Sequence, residues 1–248
     1  MKISVIVPAY NEEAYIRNCL ESLTKQEIMP DEILVINNNS TDKTVAIAKQ
    51  FPVRIINEKK QGITHARNRG FDEAQYEVIA RTDADTIVPP DWIKRIKKNF
   101  QDKKLVALSG PAHFYELPDM VNSSKFTTEA SFSYIRLFKQ LMKHDCLYGP
   151  NMALRKSAWE KIRTEVCLDD KEVHEDIDLA IHLAPVGKVH FDYTFIVESS
   201  FRRWKKIDPY FEYMNRLVKS IRKHKTPVRQ RGSDLVKRIV AKAFRQYP

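Results

Sequence analysis

The first hundred residues alternate between short apolar runs and longer amphipathic segments, and this alternation limits the possible folds more than any other feature. The runs ISVIVPA, DEILVIN, VRII and YEVIAR are short and mostly apolar, which is typical of strands buried on both faces. The segments between them carry apolar residues at helical spacing, as Ile16, Leu20 and Leu23 do. The sequence therefore predicts an α/β fold with a mostly parallel sheet flanked by helices.

Similar patterns continue along the rest of the chain. They predict basic amphipathic C-terminal helices, the first beginning near Ile207 and the last capped by Ser233 or Asp234. Other helices are predicted over 62–74, 91–100, 119–142 and 174–187, and strands over 105–110, 188–192 and 194–197.

An acidic pair follows the fourth predicted strand, in the sequence TDADT. At the end of an extended strand Asp83 and Asp85 point the same way, so their carboxylates can share a divalent cation. The alternative is a surface turn in which both aspartates only cap the next helix. Because ligands bind at the carboxyl edge of parallel sheets, the position of this loop favours a site.

Three other loops, in the strings VPAYNEE, VINNNSTD and GITHARNRG, are predicted to meet TDADT at the same edge. Their backbone, ring and amide groups suit a nucleobase, and the arginine suits a pyrophosphate. Each loop alone is also explained as a turn, a helix cap or a solvated face, but their joint placement favours a nucleotide site. The residues concerned are Pro8, Tyr10, Glu12, Asn37, Asn38 and Arg67.

Charge is unevenly distributed along the chain. The net charge is +10, and residues 201–248 hold 15 Lys and Arg against 3 Asp and Glu, which leaves −2 for residues 1–200. The basic end indicates an anionic partner, such as a membrane face, a phosphate-bearing substrate or nucleic acid.

Cysteine usage and hydropathy indicate the compartment. Cys19, Cys146 and Cys167 are widely spaced without a Cys-x-x-Cys motif, which indicates neither a disulfide framework nor a zinc site and favours a reducing environment. The apolar start is too short for a secretory signal, and no run approaches the ~18–20 apolar residues of a membrane span. We therefore expect a cytoplasmic protein.

Taken in order, these motifs resemble those of the family 2 inverting glycosyltransferases of GT-A fold. The resemblance continues through Pro89-Pro90-Asp91-Trp92, GPNMALRKSAW, HEDIDLAIHLAPVGKVHFD and SSFRRW. It implies a GT-A domain over 1–204, with a nucleotide-sugar-binding half over 1–110 and an acceptor half over 111–204. The basic helices would then occupy 205–248.

The resemblance implies a nucleotide-sugar donor and a bound metal ion. A UDP-sugar is favoured, with a GDP-sugar as the alternative because Asn37 stands where the family commonly has Asp. Asp85 is the implied ligand of Mg²⁺ or Mn²⁺, ions that prefer oxygen ligands. His113, His174 and His190 could each supply a third ligand, but a single histidine is more often structural, and none of the three is favoured. The implied donor contacts are Pro8, Ala9, Tyr10, Glu12, Asn37, Asn38, Arg67, Asp83, Ala84, Arg202 and Arg203.

The pair Glu175-Asp176 matches the family's Glu-Asp motif. By that resemblance Asp176 is the general base, which takes the proton of an acceptor hydroxyl as its oxygen attacks and inverts the anomeric carbon. The alternative is that Glu175, Asp176 and Asp178 are first-turn acids favoured by the helix dipole.

The string SSFRRW resembles the family's QxxRW element, with Ser200 where Gln is usual. The resemblance implies that Arg202 and Arg203 bind the pyrophosphate and that Trp204 stacks on the acceptor sugar. Because the Gln is absent and no membrane span is predicted, a transferase that adds a single sugar is favoured over a processive synthase.

The acceptor is expected to be a lipid-linked or cell-envelope glycan. The last helix, SDLVKRIVAKAFRQYP, suits an anionic membrane interface, although its apolar side can equally pack on the domain. Peripheral contact with the inner face of the membrane would fit a polyprenyl-linked acceptor.

Other functions remain open at this point. A polyprenyl-phosphate sugar synthase would use a phosphate acceptor and need no base, and the Glu175-Asp176 pair counts against it. A protein that binds sugar nucleotides without catalysis is disfavoured by the intact acidic motifs. A basic nucleic-acid-binding protein is the alternative from a different class, suggested by the charge of residues 201–248. It is disfavoured, and nucleic acid is not the expected partner, because aromatic residues are not interleaved with the basic ones.

Overall fold

The structure is a computed structural model that describes residues 1–117, 139–140, 142–169, 173–202, 216, 219–220 and 223–224. Within them the strands are β1 (Ile3–Ala9), β2 (Glu32–Asn37), β3 (Arg54–Asn57), β4 (Val78–Arg81), β5 (Thr86–Ile87), β6 (Leu105–Ser109), β7 (Ala112–Phe114), β8 (Met152–Arg155), β9 (Lys188–Phe191) and β10 (Val197–Ser199). The helices are α1 (Ile16–Thr24), α2 (Thr44–Ala48), α3 (Ile63–Glu73), α4 (Trp92–Asn99), α5 (Lys156–Ile162) and α6 (Glu175–Leu183).

A seven-stranded sheet in the order β3-β2-β1-β4-β8-β6-β9 forms the centre of the described structure. The strands from β3 to β4 are parallel, and so are β6 and β9, whereas β8 runs antiparallel to both its neighbours. This confirms the prediction of a mostly parallel sheet.

A second sheet of three strands, in the order β5-β10-β7, has a role in placing the site. Thr86 in β5 pairs with Ser199 in β10. This pairing brings residues 199–202 next to the loop TDADT, although the two are far apart in the sequence.

Helices cover both faces of the main sheet. In β1, where every residue is buried, successive side chains point to opposite faces. Val7 belongs to one core cluster together with Leu20 of α1, and Ile6 belongs to the other, together with Phe71 of α3 and Trp159 of α5. Each such side chain contributes roughly 1.5–3 kcal/mol when buried, which explains why the continuous apolar runs form the central strands.

One predicted strand lies at different residues. The segment TFIV was expected to form a strand over 194–197, but β10 begins only at Val197. The N–H of Thr194 donates to Asp192 Oδ1 at 2.8 Å, and its hydroxyl donates to the same oxygen at 2.7 Å. These bonds form a turn, so the chain becomes extended only after Phe195.

Some predictions fall outside the described residues. The helices expected over 119–142 and from Ile207 are mostly outside them, and the last helix is entirely so. The division at residue 204 therefore stays a prediction.

Cys19, Cys146 and Cys167 are free thiols. In the described part of the chain, no helix has the length and apolar character needed to cross a membrane.

Candidate active site

The carboxyl ends of β1 and β4 open into a cavity of about 480 Å³. The loops that follow parallel strands meet at one edge of a sheet, and the first turn of α6 and residues 199–202 also contribute to the walls. The sequence-predicted residues that line the cavity are Pro8, Ala9, Tyr10, Glu12, Asn38, Asp83, Ala84, Asp85, Glu175, Asp176 and Arg202.

A buried arginine, which the sequence analysis did not single out, connects the acidic residues of the cavity. Arg81 ends β4 and is 1% exposed. Its Nη2 donates to Asp83 Oδ1 at 3.0 Å, and its Nη1 donates to Glu175 Oε1 at 2.7 Å and to Asp176 Oδ1 at 3.3 Å. One cation thus joins the loop TDADT to the start of α6. The only signal in the sequence is an arginine at the end of an apolar strand.

Glu175 lies between two buried guanidinium groups. Arg67 Nη1 donates to the Glu175 carboxylate, and also to its carbonyl at 2.9 Å. Burial alone would raise the pKa of Glu175, but the charges of Arg81 and Arg67 outweigh burial and hold this pKa well below its ordinary value. Glu175 is therefore ionised at neutral pH and serves as the counter-charge of both arginines.

Arg67 does not contact the cavity. It is fully buried, and its Nε and Nη2 donate to Asn68 Oδ1 at 3.0 and 2.8 Å. Because Glu175 and Asn68 engage this guanidinium, the structure does not support the predicted direct contact with a pyrophosphate. Arg67 instead positions Glu175.

Asp176 also lines the cavity. Its Oδ2 accepts the backbone N–H of Gly149 at 2.8 Å, and the side chain is largely buried. Burial raises the pKa of Asp176 well above its ordinary value, the negative charge of Glu175 raises it further, and Arg81 opposes both. A carboxylate whose pKa lies closer to neutrality is a stronger base than an ordinary aspartate.

Gly149 lies beside this network, at a position where a side chain has little room. A Cβ built there would lie 2.8 Å from Arg81 Nη2 and 3.1 Å from Asp176 Oδ1. The glycine therefore allows the backbone N–H to approach the Asp176 carboxylate, which explains the glycine in the string GPNMALRKSAW.

Glu12, Asp85 and Arg202 form a second charged group in the cavity. Arg202 Nε donates to Asp85 Oδ2 at 3.1 Å, and its Nη2 pairs with Glu12 Oε1. The guanidinium also lies 4.4 Å from the centre of the Tyr15 ring. Burial raises the pKa of Glu12, although its hydrogen bond with Arg202 opposes the shift.

This group offers oxygen ligands to a hard cation. Glu12 Oε2 is buried and has no hydrogen-bond partner among the described residues, while Asp85 lines the cavity beside it. A positive charge already lies between the two carboxylates, in the form of Arg202. The residues present therefore fit a divalent cation such as Mg²⁺ or Mn²⁺.

The two predicted asparagines differ in their placement. Asn38 lines the cavity, but its Nδ2 donates to the carbonyls of Glu58 and Lys60 at 3.0 and 2.7 Å, and its Oδ1 accepts the Gly62 N–H at 2.9 Å. Its side chain therefore fixes the loop before α3. Asn37 is not among the cavity-lining residues, because its amide donates to Asn57 Oδ1 at 2.9 Å.

Several cavity residues were not assigned by sequence, and some assigned residues are elsewhere. Arg203 and Trp204 lie outside the described residues. Of the three candidate histidine ligands, His174 lines the cavity and His113 and His190 do not. Arg81 also lines the cavity, as do residues that include Gln61, Phe114, Tyr148, Pro150, Ser199 and Arg216.

The mostly parallel sheet flanked by helices, with acidic residues at its carboxyl edge, has the architecture of the GT-A fold. The model of Glycosyl transferase family 2 matches residues 4–163. The chain belongs to this family.

Curated relatives share the amino-terminal part of the chain. The putative glycosyltransferase EpsH of Bacillus subtilis (strain 168) is 32% identical over 119 residues, which cover 46% of this chain and 35% of EpsH. The uncharacterized glycosyltransferase YibD of Escherichia coli (strain K12) is 42% identical over 94 residues, or 36% of this chain and 27% of YibD. The matched part of the chain thus spans less than half the length of these relatives.

Solved structures agree on the fold over most of the chain. The mannosyltransferase PcManGT from Pyrobaculum calidifontis, in complex with GDP-Man and Mn²⁺, matches with a TM-score of 0.73 and 20% identity, over 91% of this chain and 66% of that one. The glucosyl-3-phosphoglycerate synthase of Mycobacterium tuberculosis, in complex with Mn²⁺, UDP and phosphoglyceric acid, matches with a TM-score of 0.64 and 14% identity, over 91% and 79%.

Proposed function

We propose that this chain is a metal-dependent, inverting glycosyltransferase that moves a single sugar from a nucleotide-sugar donor to a hydroxyl acceptor. One observation carries the proposal. The oxygen ligands of Glu12 and Asp85 and the buried carboxylate of Asp176 line the same cavity of about 480 Å³. A donor held at the first group can therefore present its anomeric carbon to an acceptor beside Asp176.

The donor is proposed to be a UDP-sugar, with a GDP-sugar as the alternative. Support comes from Pro8, Ala9 and Tyr10 at the end of β1, which line the cavity. The ring of Tyr10 is exposed and can cover a nucleobase. Two solved structures of the same fold contain GDP-Man with Mn²⁺ and UDP with Mn²⁺. In this proposal Asp83 and Ala84 contact the nucleoside, while Asn38 acts by holding the neighbouring loop.

Asp85 is the proposed ligand of Mg²⁺ or Mn²⁺, with Glu12 close enough to share the ion or its water. When bound, the cation neutralises the charge of the departing nucleoside diphosphate. The guanidinium of Arg202 is a second positive charge in the cavity, and it belongs to the protein. In the proposal its guanidinium leaves the two carboxylates and binds the pyrophosphate when the donor and metal enter.

Asp176 is the proposed general base. It accepts the proton of the acceptor hydroxyl while the hydroxyl oxygen forms a bond to the anomeric carbon and the bond to the diphosphate breaks. A single displacement of this kind needs no nucleophilic residue on the protein. The Gly149 N–H and Arg81 hold the carboxylate in place, while burial and the charge of Glu175 raise the pKa of Asp176.

Replacing the metal ligand is expected to remove metal-dependent donor binding. We expect one member of a panel of UDP-, GDP- and dTDP-sugars to raise the melting temperature of the wild type only with Mn²⁺. The increase should be about 5–10 °C when the ligand is present at a hundred times Kd. Asp85→Asn should abolish the Mn²⁺-dependent increase, because it removes one negative ligand.

The matched control is Asp102→Asn, which changes an exposed aspartate that does not line the cavity. This variant should keep the full Mn²⁺-dependent increase. If no sugar nucleotide stabilises the wild type in the presence of Mn²⁺, the proposed donor site is wrong.

The acceptor is proposed to be a glycan or polyprenyl-linked sugar that the chain meets at the inner face of a membrane. The charge of +12 over residues 201–248 supports this.

Neutralising four basic residues of the last segment should weaken binding to phosphatidylglycerol vesicles by about a hundredfold or more. The control neutralises four exposed lysines elsewhere, and equal loss in both variants would contradict a specific contact. The test residues are Lys237, Arg238, Lys242 and Arg245, and the control residues are Lys25, Lys49, Lys103 and Lys161, all changed to Gln.

A further inference from the structure

A cluster of two histidines and an aspartate lies on α6 beyond the residues that face the cavity. Asp178 and His182 stand one helical turn apart, and His224 approaches them from the C-terminal segment. Asp178 Oδ1 lies 2.7 Å from His224 Nε2 and 3.8 Å from His182 Nε2. One ligand atom from each of the three residues lies within 4.8 Å of the other two. None of the three lines the cavity.

His182 is arranged as a metal ligand usually is. Its Nε2 is buried and has no hydrogen-bond partner in the described part of the chain. Its Nδ1 faces the Glu165 carboxylate at 3.5 Å. A carboxylate next to Nδ1 favours the tautomer that carries its proton there, so the lone pair of Nε2 points into the cluster. In many metal sites a carboxylate accepts one ring N–H of the ligand histidine, and the other ring nitrogen binds the ion.

Asp178 is placed to share the cluster with the two histidines. Asp178 is fully buried, and its Oδ2 accepts the N–H of Cys167 at 2.8 Å. This hydrogen bond leaves Oδ1 as the atom directed at the two histidines.

We propose that Asp178, His182 and His224 bind a divalent transition metal ion, and that Zn²⁺ is the ion that fits best. Two imidazole nitrogens and one carboxylate oxygen are a ligand set of zinc, which takes a fourth ligand such as water. Tetrahedral zinc places its ligands roughly 3.3 Å apart, close to the average of the 2.7 and 3.8 Å separations found here. All three ligand atoms lie within 4.8 Å of one another, so they would move closer together to bind one ion.

The site has a structural consequence for the cavity. The segment that supplies His224 also supplies Ser220, which accepts the backbone N–H of His174 at 2.8 Å, and Arg216, which lines the cavity. A metal ion on α6 would fix this segment against the helix that begins with Glu175 and Asp176. The zinc would therefore keep Arg216 in the cavity wall without itself contacting the substrate.

The test uses the full chain, stripped with a chelator and titrated with Zn²⁺ or Co²⁺ in the absence of nucleotide. We expect one equivalent to bind at this site. Zn²⁺ should raise the melting temperature by several degrees, and Co²⁺ should give the visible absorption of a tetrahedral complex. His182→Ala and His224→Ala should each lose both signals, with every variant compared with its own metal-free form. His65→Ala, a histidine outside the cluster, and Asp85→Asn should keep them.

Two results would overturn the proposal. One is the absence of tetrahedral Co²⁺ absorption in the wild type, which needs no variant to fold. The other is an unchanged Zn²⁺-dependent increase in melting temperature in both histidine variants. Because no nucleotide is present and Asp85→Asn is included, the outcome does not depend on the proposed transferase activity.

Discussion

Replacing Asp176 by Asn is expected to lower kcat by about 10²–10⁴-fold while nucleotide-sugar binding is retained. Asn has the same size and keeps an oxygen that can accept the Gly149 N–H, which Asp176 accepts at 2.8 Å. It cannot accept a proton from the acceptor hydroxyl. The measurement is the rate of nucleoside diphosphate release in the presence of an acceptor, together with the melting-temperature increase caused by the donor and Mn²⁺.

Asp102→Asn serves again as the control and should keep the wild-type kcat. Near-full activity of Asp176→Asn would exclude the role of general base. It would favour an acceptor that is already ionised, such as the phosphate used by a polyprenyl-phosphate sugar synthase.

The pH dependence of the same reaction gives an independent test of Asp176. Burial and the charge of Glu175 raise the pKa of Asp176, and only the ionised form can act as a base. Activity should therefore rise with pH through a value well above the ordinary aspartate range. In Glu175→Gln the neighbouring negative charge is absent, so the rise should move to lower pH. If activity rises at the same pH in Glu175→Gln as in the wild type, the assignment of Asp176 as the general base is contradicted.

Arg81→Met is expected to destabilise the fold by about 3–5 kcal/mol, because it removes the cation from a buried charge network and leaves carboxylates unpaired. Arg81 is 1% exposed and donates to Asp83, Glu175 and Asp176. For a chain of this length the loss corresponds to a fall in melting temperature of about 6–20 °C. Denaturant unfolding at pH 7 measures the free energy directly.

Arg163→Met is the matched control, since Arg163 also pairs with a carboxylate, that of Asp72, but is 54% exposed. Surface ion pairs contribute about 0–1 kcal/mol, so this variant should be close to wild type. A similar small effect for Arg81→Met would show that the buried network does not stabilise the fold.

The difference in the free energy of unfolding between Arg81→Met and the wild type should also depend on pH. In the folded wild type the pKa of Glu175 is depressed, so its contribution to stability is present above the unfolded pKa and is lost as pH falls through the folded one. Without Arg81 the depression is smaller. The gap between the two proteins should therefore be largest near neutral pH and narrow as the carboxylates are protonated.

The local pattern of the sequence predicted the first four strands and the three helices between them. The apolar run of β1 had to be buried on both faces, and the spacing of Ile16, Leu20 and Leu23 placed one side of α1 against the sheet, where all three are buried. Hydrophobic periodicity is read from neighbours in sequence, so it determines which residues are buried and which elements form. It also located TDADT and the loop after β1 at one edge.

The tertiary structure alone decided which charges meet. Arg67, Arg81 and Glu175 are separated by up to 108 positions, and no local pattern shows that α3, β4 and α6 bring them together. The same holds for Asn38, whose amide is used by the loop before α3, and for His224, which reaches Asp178 across 46 positions. A side chain's partners depend on how distant elements pack, because burial leaves a polar group only the neighbours that packing supplies. The sequence thus determined the sheet and its acidic edge, whereas packing determined the role of each charge within the site.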